Sequence, residues 1–287
     1  MTHITRQGAV DFSVGYKIQT TWKFQEAMTF VLEGLGASLF FVGLLAGSIA
    51  GMAAGVVVLI GSGALLMSHL GRPMNMIYVA ANFRHSWMSR GAVLIPVFIL
   101  LALLTVLAVG VLGWQPGAGA RIALIVVFAA LTLFTVMKSG LVLTTFPAIA
   151  FWGGGLLPVI FALSGLSTGL AVFTAYDGFL LARWAWLTPA LTAALAVALA
   201  MHLLSMRNAG RAAKVSVGLI GQRHAAAFYG AGGLVGLAVP LALGIYLAID
   251  PAAATPWLAI AIAATRLMGD IAIRDVLLKV GVYDKVR

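Results

Sequence analysis

The sequence contains eight long apolar runs, and these constrain its fold more than any other feature. They cover approximately residues 27–49, 51–70, 91–113, 120–140, 147–172, 182–205, 224–248 and 254–272. A helix needs about 20 apolar residues to cross the bilayer core, and backbone groups in lipid must be hydrogen-bonded within their own segment. We therefore predict an all-α integral membrane protein with eight transmembrane helices.

The composition agrees with a lipid environment. Only 9% of the 287 residues are charged and 62% are hydrophobic, whereas a soluble domain carries about 25% charged residues. The chain has no cysteine, which excludes disulfides, thiolate metal sites and iron–sulfur ligation within it. Residues 1–26 lack the apolar core of a secretory signal, and we expect them to form a cytoplasmic N-terminal segment.

The positions of lysine and arginine predict the orientation. Eight spans place both termini, and the loops after the second, fourth and sixth helices, on one side of the membrane. Fifteen of the 18 Lys and Arg residues fall on that side. Because basic residues are retained in the cytoplasm, we predict an inner-membrane protein with cytoplasmic termini. The net charge of +10 then reports topology, and we expect membrane lipid rather than nucleic acid as a partner.

A short internal similarity suggests two four-helix bundles. The segment 31–39 (VLEGLGASL) resembles the segment 162–170 (ALSGLSTGL), and His69 and His202 follow at similar offsets. A unit duplicated in parallel orientation would produce this pattern, and so would chance similarity between apolar helices. The predicted bundles are residues 27–140 and 141–272, followed by a cytoplasmic tail over 273–287.

Five ionisable residues lie within the predicted helices or at their ends: Glu33, His69, Lys138, Arg266 and Asp270. Such groups are costly in a membrane and often mark a functional site. We predict that all five lie at a similar level near the termini and line a quinone pocket. A histidine there can donate hydrogen bonds and protons, and Glu33 can carry protons from water. Two structural alternatives remain: Lys138 and Arg266 could reach the headgroups, and Arg266 could pair with Asp270 four residues later.

Two other functional classes stay open. A haem would need histidines that face each other across a bundle. No histidine lies in the middle of a predicted helix, so a haem between His69 and His202 or His224 is the less favoured alternative, and we expect no haem or metal in this chain. A secondary transporter would show broken helices and charges at the bilayer midplane.

The segment 69–92 between the second and third helices is the densest polar stretch. Trp87 suits the membrane interface, and Arg72, Arg84 and Arg90 suit lipid headgroups or an acidic partner surface. A topogenic loop without a binding role is the structural alternative.

This stretch also carries a family resemblance. His69-Leu-Gly-Arg-Pro73, Asn82 and Ser86-Trp-Met-Ser-Arg90 resemble the signature of the polysulfide reductase (NrfD-type) and DMSO reductase anchor families. A second block, Pro147-Ala-Ile-Ala-Phe-Trp152 with Leu157-Pro-Val-Ile-Phe161 and Ser164–Gly169, resembles the pattern of their fifth helix. Length, helix count and motif order extend the resemblance over most of the chain.

The resemblance implies a haem-free anchor that binds menaquinone or ubiquinone. It implies two partners: a ferredoxin-like subunit with four iron–sulfur clusters, and a molybdenum or tungsten bis-pterin subunit that acts on the soluble substrate. A cytoplasmic catalytic head would suit an acyl-CoA such as phenylacetyl-CoA, and a periplasmic head acting on sulfur, selenium or nitrogen oxides is the competing case.

The resemblance also names the candidate site residues. His69 matches the histidine of the DMSO reductase anchors. Gly91 stands where these families often carry a glutamate after Ser-Arg, so Glu33 could supply that acid instead. The predicted site for quinone binding and proton transfer is His69, Glu33, Lys138, Arg72, Asn82, Trp87 and Arg90, with Arg266 and Asp270 as secondary members.

Overall fold

A computed structural model describes residues 16–69, 71, 76–176 and 186–284. Within these residues, eight helices are long and apolar enough to cross a membrane, which confirms the predicted all-α membrane fold. We number them α1 (Phe24–Ala46), α2 (Ile49–His69), α3 (Trp87–Val106), α4 (Ala118–Thr144), α5 (Leu156–Tyr176), α6 (Leu187–Asn208), α7 (Ala226–Ile249) and α8 (Pro256–Lys279).

Shorter elements connect these helices. A π-helical turn, Leu107–Val111, extends α3, and α7 is π-helical over Ala226–Ala238 before it becomes α-helical over Val239–Ile249. Within the described ranges, the other elements are two short α-helices (Met76–Ala80 and Arg211–Arg223), two 3₁₀ turns (Ala150–Trp152 and Pro251–Ala253), and two strands, β1 (Lys17–Ile18) and β2 (Val282–Tyr283).

The eight helices form two rings of four. In the first ring α1 contacts α2, α2 contacts α3, α3 contacts α4, and α4 returns to α1. In the second ring α5, α6, α7 and α8 follow each other in the same order, and α8 returns to α5. The two rings meet where α1 contacts α5 and α8 and where α4 contacts α5, so α1 and α5 lie at the centre of the molecule.

The two similar segments of the sequence meet at the centre of the molecule. Gly34 of α1 and Gly165 of α5 occupy the same place in the two similar segments, and they meet: a Cβ added to Gly34 would lie 3.3 Å from the Gly165 Cα.

Glycines explain the tight hairpin between α1 and α2. Gly47 ends α1 with a positive φ of 72°, a conformation that favours glycine. Gly43 packs directly on the α2 backbone, because an added Cβ would lie 2.6 Å from the Met52 nitrogen. Small residues of this kind let membrane helices approach closely.

The two ends of the described chain meet at one face of the bundle. Lys17–Ile18 pairs antiparallel with Val282–Tyr283. The side-chain amide of Gln19 donates to the carbonyls of Trp22 and Leu278 at 2.8 and 2.9 Å. We call this side the terminal face. Because these two segments pair with each other, both ends of the described chain lie on the same side of the bundle. The predicted even number of spans requires the same arrangement.

Three predicted helix boundaries are wrong. The fifth helix begins at Leu156 rather than residue 147, because the apolar residues before it form turns that pack into the core. The third begins at Trp87, where the Ser86 hydroxyl accepts a hydrogen bond from the Ser89 amide, so Trp87 and Arg90 belong to a helix rather than a loop. The eighth continues to Lys279, so residues 273–279 are helix and not tail.

Candidate functional site

A cavity of about 460 Å³ lies inside the first ring, toward the terminal face. Its size falls within the range of small-molecule sites. All four helices of the ring and the short helix Met76–Ala80 contribute to its wall. Most lining side chains are apolar or aromatic, among them Trp22, Phe30, Met67, Met88 and Ile95. This lining suits a ligand with an apolar body.

Among the described residues, the charged groups in the cavity wall are an ion pair between Glu33 of α1 and Lys138 of α4, and Glu26 nearer the surface. The Lys138 Nζ lies 2.8 Å from Oε1 and 2.7 Å from Oε2 of Glu33. The hydroxyl of Ser139 donates to Oε2 at 3.3 Å. Glu33 is only 4% exposed and Lys138 only 7%. Buried charges need partners of this kind, and here both partners are supplied within the ring.

Gly91 makes room for this pair. Gly91 lies on α3 beside the stem of Lys138, and a Cβ at this position would lie 2.5 Å from the Lys138 Cδ. A larger residue would displace the lysine. Gly91 therefore admits the lysine stem, and Glu33 is the acid that this lysine meets in the cavity wall.

Aromatic rings form the side of the cavity next to the second ring of helices. Trp22 lies 5.7 Å from both Phe30 and Phe146 and 6.1 Å from Trp152, measured between ring centroids. The Lys138 Nζ lies 5.7 Å from the Phe30 ring, within the range of a cation–π contact. The indole of Trp152 donates to the Leu277 carbonyl at 3.0 Å. These contacts tie the cavity wall to α8.

A second buried polar cluster centres on Asp270 of α8. The Arg274 Nε donates to Asp270 Oδ1 at 2.6 Å. The terminal nitrogens of Arg274 donate to the carbonyls of Phe30 at 2.8 Å and Phe161 at 3.2 Å. Arg274 is 1% exposed. Its guanidinium therefore joins α8 to both central helices, next to the turn of α1 that carries Glu33.

Arg266 joins this cluster through a hydroxyl. The Ser164 hydroxyl contacts Asp270 Oδ1 and accepts a hydrogen bond from Arg266 Nη2 at 2.9 Å. Arg266 Nη1 donates to the Gly236 carbonyl at 2.7 Å, within the π-helical part of α7. Among the described residues, its Nε has no hydrogen-bond partner. The alternative of a direct ion pair between Arg266 and Asp270 does not hold, because the carboxylate pairs with Arg274.

The alternative in which Lys138 and Arg266 reach the headgroups is also wrong. Lys138 is held by Glu33, and Arg266 is fully buried. The charges also do not share one level. Asp270 lies nine residues before the end of α8 and Arg266 thirteen, which is about 14 and 20 Å at 1.5 Å per residue. Glu33 lies nine residues into α1, level with Asp270, whereas Arg266 lies near the middle of α8.

Of the remaining predicted site residues, those whose side chains the structure describes are not brought to the ion pair. The backbone of His69 ends α2, its side chain lies outside the described part of the structure, and so does Arg72. Arg90 stacks over the Trp87 ring, 4.1 Å from its centroid, and donates to backbone carbonyls of the preceding turns. Asn82 is exposed in those turns. Within the described residues, Val79 and Met88 of this region line the cavity, and Asn82, Trp87 and Arg90 do not.

His202 and His224, the two described histidines of the haem alternative, do not line the cavity. His202 is fully buried in α6 with its ring 5.1 Å from Phe151. Among the described residues, neither of its ring nitrogens has a hydrogen-bond partner. His224 is half-buried where the helix Arg211–Arg223 ends. No group of three or more His, Asp or Glu side chains in the described ranges converges as metal ligands would.

Three residues of these two clusters were not identified as candidate site residues from the sequence. Arg274 follows Asp270 by four residues, a spacing that signals an ion pair on a helix, but the predicted tail had already begun at residue 273. Ser139 and Ser164 carry no signal of their own, because an isolated serine is common in a membrane helix. Their roles depend on helix neighbours distant in sequence.

Comparisons with protein-family models and with curated proteins each found no match for this chain.

Proposed function

We propose that the chain is the quinone-reactive membrane anchor of an oxidoreductase. It exchanges electrons between a quinone in the first ring of helices and an iron–sulfur subunit bound at the terminal face. The observation that carries this proposal is the cavity itself, where an apolar and aromatic wall surrounds one buried acid and one buried amine. An amphipathic ring with an isoprenoid tail suits that combination.

The chemistry of a quinone matches the groups in the wall. Reduction takes two electrons from the iron–sulfur partner and two protons, and it forms one O–H bond at each quinone oxygen. Oxidation of the quinol is the reverse. The Lys138 ammonium can donate a hydrogen bond to a quinone oxygen, and Glu33 can hold or release a proton within the same pair. The chain thus offers a donor and a proton carrier side by side.

Exposed basic residues support docking of an acidic subunit on the terminal face. Arg207, Arg211, Lys214 and Arg223 are exposed on or beside the helix Arg211–Arg223, whose other side is buried. Complementary charge steers and orients such a partner. The same charges favour a cytoplasmic terminal face, where the catalytic molybdenum or tungsten subunit would meet an intracellular substrate such as an acyl-CoA.

Two glycines of α2 provide a matched test. A Cβ added to Gly63 or to Gly61 meets no atom within 4 Å, but Gly63 lines the cavity and Gly61 lies on the exposed side of the helix. In the purified complex, Gly63→Leu should reduce quinone turnover at least about tenfold by filling the cavity. Gly61→Leu should leave turnover unchanged, and both should keep full activity with an artificial dye that bypasses the membrane subunit.

Equal quinone turnover in both glycine variants would remove the cavity from the reaction. The partner subunits are tested separately. The chain should co-purify with two soluble subunits and with iron–sulfur absorption. Purification of the chain as a stable homomer that carries no redox partner would contradict the anchor role.

A secondary transporter is the second candidate, because of the position of Arg266. A fully buried cation near the middle of α8, bonded to a carbonyl of the π-helical part of α7, resembles the combination of midplane charge and irregular helix found in transporters. Such a cation would recognise an anion. Uptake of a radiolabelled carboxylate into proteoliposomes, lost in Arg266→Gln, would favour this function over the anchor.

A further inference from the structure

We infer that Glu26 is the residue that exchanges protons between the aqueous terminal face and Glu33 inside the cavity. The inference rests on the proposed quinone reaction and adds a route that this reaction requires. Protons cannot reach a buried acid through lipid, so a polar path must connect Glu33 to water. The described structure shows a series of polar groups in the right place.

One face of α1 carries these groups. Glu26, Thr29 and Glu33 all line the cavity, and their spacing of three and seven residues puts them on the same side of a helix. Glu26 lies in the first turn of α1 and is half-buried. Glu33 lies seven residues further, about 10 Å along the helix axis. The two carboxyl groups therefore lie at the outer and inner ends of the same cavity.

The cavity can hold the link between them. A water molecule occupies about 30 Å³ of liquid and needs polar partners to be stable inside a protein. The cavity volume of about 460 Å³ leaves room for several waters along this face when a ligand occupies the apolar part. Thr21 and Thr29 lie in the same wall and supply hydroxyl groups.

The proton balance is simple. For each of the two protons that quinone reduction consumes, Glu26 gives a proton through water to the Glu33 carboxylate and takes one from bulk solvent. Glu33 then gives its proton to a quinone oxygen, so the O–H bond of the protonated acid is replaced by an O–H bond of the quinol. The electrons come from the iron–sulfur partner of the proposed reaction, and quinol oxidation runs the same transfers in reverse.

Glu26→Gln tests this role with little change in structure. Glu26 also accepts a hydrogen bond from the Lys23 amide at 2.8 Å as part of a capping box. Glutamine can fill that capping position as well as glutamate, so the start of α1 is retained. The variant should lower quinone turnover in the purified complex about tenfold or more, since general acid–base groups typically contribute at least that much. Activity with the artificial dye should be unchanged.

Added acetate or formate should restore the Glu26→Gln variant, because a small weak acid can replace the missing carboxyl in an open cavity. Asp250→Asn is the matched control, since Asp250 is an exposed capping carboxylate at the opposite end of the bundle, and it should behave as the wild type with and without acetate. Wild-type turnover in Glu26→Gln, or a loss that acetate does not restore, would overturn the role of Glu26. Absence of quinone turnover in the wild-type complex would instead overturn the proposed function.

Discussion

Replacing Lys138 by methionine would test whether the ion pair in the cavity wall is truly buried. Methionine keeps most of the length and volume of the lysine stem but removes the charge. Glu33, 4% exposed, would then keep the hydrogen bond from the Ser139 hydroxyl at 3.3 Å but lose its cationic partner. Removing one partner of a buried pair typically costs about 3–5 kcal/mol, because the other charge stays uncompensated. We expect a loss of that size in the free energy of unfolding.

Removing both charges should cost much less than the two single changes together. In Glu33→Gln with Lys138→Met no buried charge is left unpaired, and replacing a buried pair as a whole is often close to neutral. The single changes should therefore not add. The double-mutant cycle should give a coupling energy of at least about 3 kcal/mol, at or above the top of the range of about 0.5–3 kcal/mol seen for residues in contact.

The assay is reversible unfolding in mixed micelles by titration with a denaturing detergent, followed by helix content. Lys279→Met is the matched control. Lys279 pairs with Asp275 at 2.7 Å, the same distance as in the cavity, but its side chain is 40% exposed. Exposed helix pairs contribute about 0.3–0.5 kcal/mol, so this change should be nearly silent. If Lys138→Met lowered the free energy of unfolding no more than Lys279→Met, the pair of Glu33 and Lys138 would not be buried away from water. The same conclusion would follow if the effects of Glu33→Gln and Lys138→Met simply added.

Three further substitutions test other contacts. Gly91→Ala places a methyl group 2.5 Å from the Lys138 Cδ, so quinone turnover should fall several-fold while dye activity persists; unchanged turnover would show that the lysine position does not matter. Gly236→Ala brings a Cβ within 2.2 Å of the Gly269 Cα, and because backbone cannot yield as a side chain can, unfolding should be easier by about 1–3 kcal/mol; wild-type stability would contradict this close helix contact. Asp270→Asn removes the negative charge between two buried arginines and should cost about 3–5 kcal/mol in the same unfolding titration, whereas a cost below about 0.5 kcal/mol would mean that the cluster is hydrated.

Much of the fold could be predicted from the sequence because lipid imposes a strict length and hydropathy on each span. All eight runs became helices. The predicted helix boundaries were wrong where apolar residues pack inside the protein without crossing the bilayer. Phe151 and Trp152 are apolar and fully buried, yet they belong to a 3₁₀ turn that packs on the core. Hydropathy cannot separate burial in protein from burial in lipid.

The candidate site could be predicted only in part. The cost of a charge in lipid identified Glu33 and Lys138 individually, but nothing in their spacing of 105 residues indicated that they pair. Arg266 and Arg274 each lie four residues from Asp270, so spacing alone could not identify the partner of this carboxylate. Arg274 was not considered because the predicted end of α8 preceded it, whereas the helix continues to Lys279. Pairing in a membrane protein depends on which helices touch, and an apolar sequence carries little information about that.

Photoaffinity labelling tests the central claim most directly. A quinone analogue carrying a light-activated azide would be irradiated with the full-length protein in lipid nanodiscs, and labelled peptides would be identified by mass spectrometry. The account predicts labelling within residues 21–33 and 88–99, which contribute to the cavity wall, and loss of that labelling in Gly63→Leu but not in Gly61→Leu. Labelling spread over the exposed surfaces of α6 and α7, unchanged by either substitution, would contradict it.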